Sequence, residues 1–124
     1  MTDKSEVLVY LSALPPDQKA ALESLRDQLR LLLPDCTECL SYAMPGFRSP
    51  ATGGKPGKMV VGYAAFARHL GLYPHSGSII PQIDCTPFKT SKSGVLFTPA
   101  TPLPLPLLQR ILTARRAEIA ATAR

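Results

Sequence analysis

Leucine repeats at helical spacing along residues 15–33, and charged side chains fill the positions between. Apolar residues on one side and Lys, Arg, Asp and Glu on the other are typical of an amphipathic helix that packs on a core. The stripe consists of Leu22, Leu25, Leu29 and Leu32. Pro16 suits the first turn, where its missing N–H would have no partner, and Pro34 would end the helix. A shorter helix is expected over residues 5–13.

The middle of the chain shows strand periodicity instead. Four apolar segments bounded by glycine, proline or polar residues are predicted as strands. They are residues 37–44 (TECLSYAM), 59–67 (MVVGYAAFA), 69–74 (HLGLYP) and 94–98 (GVLFT). Residues 45–58 are dense in glycine and proline and are predicted to be a mobile connection, and residues 75–85 a loop or short helix.

The last part of the chain is predicted to be helical from about residue 106, beyond a proline-rich stretch. Helix, strands, helix is the order of an α+β protein, and the short links between strands favour an antiparallel sheet. We expect the helices to pack on one face of this sheet and the other face to be partly open. We find no internal repeat, so residues 1–124 are predicted to form a single domain.

Charge and composition narrow the choice of partners. The formal charge is +5, but the 14 basic residues are scattered along the chain, so nucleic acid is not the favoured partner. The sequence has no apolar run long enough to cross a bilayer and no signal-peptide pattern at its start. The expectation is a soluble, cytoplasmic protein with no membrane role.

The three cysteines raise the question of a redox or zinc site. Cys36 and Cys39 have C-x-x-C spacing, but they follow a predicted helix and lead into a strand, which is not the context of a thioredoxin-type pair. Zinc would need four ligands, drawn from these two, Cys85, and His69 or His75. Residues three apart on a strand face opposite sides. We therefore favour incidental thiols over zinc.

Other polar residues leave two interpretations open. His69 shares a predicted strand face with Tyr73, where the pair would bind metal or move a proton, or would only make local hydrogen bonds. His75 lies in a polar loop and is expected to be solvated. Lys92 and the hydroxyls before it would hold an anion or form an ordinary turn. No nucleophile elbow or other catalytic signature is present, so we predict no catalytic residue.

Five segments in order resemble the YdhG-like family, a domain of unknown function. They are VYLSALPPDQKAALESLR, ECLSYAMPGF, RHLGLYP, FKTSKSGVLF and PLPLPLLQRIL, and together they span most of residues 10–115. The resemblance implies a frataxin-like fold, with two helices on one face of an antiparallel sheet. It also implies a link to iron, because at least one bacterial member is described as an intracellular iron chaperone.

The resemblance also selects residues. The motif positions proposed as a ligand or partner surface are Glu38, Tyr42, Met44, Phe47, His69, Tyr73 and Lys92. The resulting hypothesis is a non-enzymatic binding protein, with iron as a cargo that the resemblance implies and with the metal ligands unknown. The alternative is a small molecule, an anion or a protein partner bound at the Tyr42, Phe47, His69 and Lys92 surface without metal. A third interpretation makes the motifs architectural, with Met-Pro-Gly as a forced turn and Tyr42 and Phe47 in the core.

Overall fold

A computed structural model of the chain describes residues 4–122, which form three helices and six strands. The helices are α1 (Lys4–Ser12), α2 (Pro16–Leu32) and α3 (Leu105–Thr122). The strands are β1 (Thr37–Ser41), β2 (Met44–Arg48), β3 (Met59–Ala65), β4 (Leu70–Tyr73), β5 (Lys89–Thr90) and β6 (Val95–Phe97). A short 3₁₀ helix lies at Ile80–Gln82. Within residues 4–122, no helix is both long enough and apolar enough to cross a membrane.

All six strands belong to one antiparallel sheet with the order β1-β2-β3-β4-β6-β5. The predicted α+β class, with an antiparallel sheet and helices on one face, is therefore confirmed. Local pairing of consecutive strands builds most of the sheet, because β1 to β4 form an uninterrupted meander. The exception is the pairing of β4 with β6, which leaves β5 beyond β6 as the edge strand.

The first hairpin differs from its prediction. Residues 37–44 do not form one strand, because Tyr42 and Ala43 make a two-residue turn between β1 and β2, with positive φ angles of 52° and 62°. Two consecutive positive φ values are the geometry of the tight turn that matches strand twist, and Asn-Gly is its usual sequence. Tyr-Ala carries no such signal. The forced turn at Met-Pro-Gly, part of the third interpretation, is wrong, because these three residues lie within β2.

Three further differences from the predictions concern the bounds and number of the strands. Residues 45–58 are not one connection, because Pro45 to Arg48 belong to β2 and only the remainder links β2 to β3. The two residues of β5 were not predicted as a strand, since both are exposed and no apolar alternation marks them. The predicted strands at 59–67 and 69–74 are shorter, as β3 ends at Ala65 and β4 spans Leu70–Tyr73.

One face of the sheet, here called the helix face, carries the core. Its side chains are Phe47, Val61, Tyr63, Leu70, Leu72, Val95 and Phe97, which alternate along their strands and align across the ladder. They form a single apolar cluster with the buried side chains of all three helices. The predicted stripe of α2 supplies Leu22, Leu25 and Leu29 to that cluster. Burial of these side chains is the main stabilising contribution to the fold.

Candidate functional site

The opposite side of the sheet, here called the glycine face, is built from small residues. Cys39, Gly46 and Gly62 align across β1, β2 and β3, and Ala64 aligns with Gly71 across β3 and β4. Cys39 and Ala64 are buried but lie outside the apolar cluster of the helix face. The glycine face therefore has its own thin layer of covering side chains.

Three side chains lie on these glycines, in the space where a Cβ atom would stand. The Met59 methyl carbon is 2.6 Å from the ideal Cβ position of Gly46. His75 Nε2 is 2.7 Å from the ideal Cβ position of Gly62. The Tyr73 ring contacts the corresponding position of Gly71. Glycine inside a strand weakens it unless another group approaches closely, and here each glycine admits such a group.

His75 is the most unusual residue of this layer. Its backbone φ is +56°, a conformation that few residues other than glycine adopt, and its Nε2 atom is sealed from solvent without a hydrogen-bond partner. Burial, followed by the nearby Arg115 and Arg48 guanidiniums, lowers the pKa of His75 below its usual value. The expectation of a solvated loop histidine was wrong, because the side chain is half-buried against Gly62.

Tyr42 stacks on His75 from the other end of the glycine face. The two ring centroids are 6.5 Å apart and the ring planes differ by 25°. Tyr42 nevertheless remains 87% exposed, so it is not a core residue as the architectural interpretation held. Two of the three non-glycine residues with positive φ among residues 4–122 are thus in contact with each other.

A second aromatic group lies at the β3–β4 turn. The Phe66 ring is 5.0 Å from the His69 ring and 6.4 Å from the Tyr73 ring, the latter in an edge-to-face arrangement. Burial, and to a smaller extent Tyr10, raises the pKa of Tyr73. His69 and Tyr73 therefore both lie against the Phe66 ring, on the strand face that their positions predicted. Phe66 was missed, although its place directly after an apolar strand is a weak signal.

Glu38 lies on the other side of the sheet from Tyr42, His69 and Tyr73. Its carboxylate is held by the Arg26 guanidinium, with Nε at 2.5 Å and Nη2 at 3.0 Å from its two oxygens, and Arg30 Nε is 3.9 Å away. Glu38 pairs across the ladder with Phe47, which places both on the helix face. A shared surface of Glu38 with the aromatic residues is therefore not formed.

The remaining predicted residues are dispersed over the fold. Met44 lies at the start of β2 with the strand parity of Gly46, and so on the glycine face. Phe47 is 2% exposed in the core and does not form an apolar wall with Tyr42. Lys92 is exposed in the turn closed by Ser91 N–H, which donates to the Gly94 carbonyl at 2.9 Å. That turn belongs to the opposite edge of the sheet from β1 and β2.

The three cysteines are free and occupy different environments. Cys39 Sγ lies 3.4 Å from Met59 Sδ, on the glycine face of the sheet. Cys36 lies beside Asp35 and Arg116, and burial followed by the Asp35 charge raises its pKa to about 11. Among residues 4–122, no three His, Cys, Asp or Glu side chains come close enough together to hold a metal ion.

A groove of about 750 Å³ lies between the 49–58 loop and the end of α3. Lys55, Lys58 and Arg116 line it, but Arg116 is bound to Asp35 and the Lys58 ammonium donates to Thr122 Oγ1 at 3.1 Å. None of the seven motif residues contributes to this groove. It is therefore separate from the surface that the family resemblance selected.

Comparison with solved structures identifies one clear likeness. A protein from the DUF1801 family, YdhG of Bacillus subtilis, superimposes with a TM-score of 0.80, covering 94% of this chain and 92% of its own. The chain has the fold of YdhG. The sequences are 14% identical, a level at which the likeness establishes the fold alone. No family model and no curated protein matches the sequence. The predicted YdhG-like architecture is thus supported, and the relation to frataxin stays a prediction.

Proposed function

We propose that this chain is a non-enzymatic binding protein related to the YdhG-like family, and that its glycine face docks a protein partner. The observation that carries the proposal is Tyr42, which is 87% exposed at the tip of the β1–β2 turn with a φ of 52°. Tyrosine is enriched at protein interfaces because its ring offers a large contact area and its hydroxyl a hydrogen bond.

The fold gains little from a tyrosine at this position. A left-handed backbone conformation costs a residue with a Cβ roughly 1–2 kcal/mol, and asparagine or glycine would reduce that cost. Burial does not compensate, because most of the ring faces solvent. Tyr42 therefore costs the free protein stability while its ring remains available for contact with another molecule.

The surface around Tyr42 supports docking over a wider area. Phe66 is a second exposed aromatic residue, and it extends the surface through His69 to Tyr73. The His75 and Tyr73 rings, which Tyr42 and Phe66 contact, lie directly on glycines of the sheet. A rigid floor with exposed aromatic rings loses little side-chain entropy on binding, which favours affinity.

Iron handling, which the family resemblance implies, has less support from the charged residues. Ferrous iron suits sites rich in carboxylate or imidazole ligands. Here the carboxylate of Glu38 is neutralised by Arg26, and that of Glu118 by Arg115 at 2.5 Å. An anaerobic calorimetric titration with Fe(II) tests the iron hypothesis directly, and saturable micromolar binding would restore it over partner docking.

The small-ligand alternative at Tyr42, Phe47, His69 and Lys92 is weakened by their separation. Phe47 belongs to the core and Lys92 to a turn at the far edge of the sheet, so these four side chains do not line one pocket. Tyr42 and His69 remain on the glycine face, where a protein surface would reach both.

Photo-crosslinking in the native cell tests the docking proposal. A photoreactive phenylalanine analogue replaces Tyr42 in one variant and Phe66 in a second. The matched control carries it at Leu31, which is 83% exposed on α2, away from the glycine face. We expect the same partner to be captured from both positions on the glycine face and not from the control.

The captured partner is then purified and its affinity measured by calorimetry. Tyr42→Asn retains a residue that suits the turn and is expected to weaken binding about tenfold or more, as loss of a central interface tyrosine does. Leu31→Asn should leave the affinity unchanged. Equal crosslinking from all three positions, or full affinity in Tyr42→Asn, would refute the proposal.

A further inference from the structure

Two sulfur donors and one imidazole nitrogen lie on the glycine face. Cys39 Sγ and Met59 Sδ are 3.4 Å apart, and both residues are nearly buried, at 4% and 7% exposure. The Met59 side chain ends over Gly46, and His75 Nε2 lies over Gly62, the residue that pairs with Gly46 across the ladder. The thiol, the thioether and the imidazole therefore occupy neighbouring positions on one surface.

The chemistry of this set selects one class of ion. Thiolate and thioether sulfur are soft ligands that favour Cu(I), whereas Mg(II), Ca(II) and Mn(II) prefer carboxylate and carbonyl oxygen. Imidazole is compatible with copper as well. One of the three donors is a methionine, so the group is not a cluster of His, Cys, Asp and Glu side chains alone.

We propose that Cys39, Met59 and His75 form a binding site for a single Cu(I) ion. The proposal rests on these three buried donors and not on partner docking, so either can fail without the other. Met44 lies on the same face, two residues before Gly46 on β2, and its thioether is a third sulfur donor on this face.

The state of each donor suits coordination. His75 Nε2 has no hydrogen-bond partner, so a metal ion would satisfy an otherwise orphaned buried atom. Coordination would release the Cys39 proton to solvent, and the thiolate would then neutralise the single charge of Cu(I).

The nearby guanidiniums favour a monovalent ion over a divalent one. Arg48 and Arg115 lie near His75; Arg115 is paired with Glu118, whereas the Arg48 guanidinium donates to the uncharged Gly57 carbonyl and would repel a bound cation. Coulomb repulsion scales with the ionic charge, so a divalent ion would be repelled twice as strongly. A Cu(I)–thiolate pair carries no net charge and avoids most of this penalty.

Anaerobic competition titrations of the whole protein test the site. Cu(I) is supplied as its bicinchoninate complex, and transfer to the protein is followed by loss of the coloured complex. We expect one Cu(I) per chain, with copper X-ray absorption showing sulfur and nitrogen neighbours. Met59→Leu keeps the volume and the thiol but removes one sulfur, and should weaken binding roughly tenfold or more. His75→Gln should remove the nitrogen neighbour from the spectrum.

The matched control is Cys36→Ser, because Cys36 is a half-buried thiol outside the cluster. It should bind Cu(I) as the wild type does, whereas Cys39→Ser should not. Urea unfolding without metal verifies that each variant is folded before titration. Absence of one-to-one binding in the wild type would overturn the proposal, as would full affinity in both Met59→Leu and His75→Gln. Equal loss in Cys36→Ser would indicate binding by any thiol and overturn it too.

Discussion

Gly62→Ala is the substitution that tests most directly how side chains pack on the glycine face. The added methyl group would stand 2.7 Å from His75 Nε2 and 3.5 Å from His75 Cδ2, so the imidazole has to move. The next contact, with the Pro45 carbonyl oxygen at 3.4 Å, is an ordinary one. Gly62 does not have a positive φ, so alanine causes no backbone strain of that kind.

Two opposing effects determine how much Gly62→Ala changes the free energy of unfolding. Forcing an extra carbon into a packed position costs roughly 1–3 kcal/mol of unfolding free energy. Replacing glycine by alanine within a strand recovers about 0.5–1 kcal/mol, because the unfolded chain loses conformational freedom. The net expectation for Gly62→Ala is therefore a loss of up to about 2.5 kcal/mol of unfolding free energy.

A double-mutant cycle with His75→Ala isolates the contact. Once the imidazole is absent, the new methyl group has space, and Gly62→Ala should then stabilise the protein by about 0.5–1 kcal/mol. Urea denaturation of the four proteins, followed by far-ultraviolet circular dichroism, gives the coupling free energy. We expect the coupling to equal the overpacking cost, about 1–3 kcal/mol.

The reasoning would be refuted by additive effects. If Gly62→Ala changes stability equally with and without the imidazole, the His75 ring does not lie on Gly62. The copper proposal would then lose its nitrogen donor, and the stacking of Tyr42 on His75 would need another explanation.

Three further predictions concern the ion pair, the histidine and the turn. Glu38→Gln leaves the Arg26 charge without its counterion, and we expect a loss of about 3 kcal/mol in urea unfolding, with recovery when both residues become apolar. The lowered pKa of His75 means that, as pH falls below about 6.5, the unfolded state takes up a proton before the folded state does. Stability should thus fall between pH 7 and pH 5, and less so in His75→Gln; an identical decline in both proteins would contradict this. Replacing Tyr42 by Asn and Ala43 by Gly should raise the unfolding free energy by roughly 1–2 kcal/mol, and unchanged stability would show that the turn is unstrained.

The sequence was sufficient for most of the helix and strand assignments. Leucine periodicity located α2, and Pro16 and Pro34 marked its limits, because proline acts on the local backbone wherever it stands. The alternating pattern of residues 69–74 placed Leu70 and Leu72 on one face, where the structure has them. Local geometry and apolar periodicity are properties of short segments, so they can be predicted without knowledge of the fold.

The contacts between distant segments were harder to predict from the sequence. The Tyr42–Ala43 turn adopts positive φ angles without a glycine or asparagine, because the β1–β2 ladder that runs up to Ser41 and Met44 imposes the geometry. Glu38 was placed with Tyr42 by its motif, yet strand parity and Arg26 on α2 hold it on the helix face. Contacts between distant segments depend on the register of the sheet, which no single segment determines.

By itself, then, the sequence determined the elements and the α+β class, and only the tertiary structure decided where the chemistry lies. From the sequence, His75 is a polar loop residue and is expected to be solvated. Its ring is half-buried because Gly62, a residue of β3, has no side chain in the space that the ring occupies. Cys39 and Met59 are separated by the whole of β2 and the following loop before the sheet brings their sulfur atoms to 3.4 Å. The physical reason is that a glycine in the sequence shows only that a side chain is missing. Which group occupies that space depends on how the strands pair in the folded sheet.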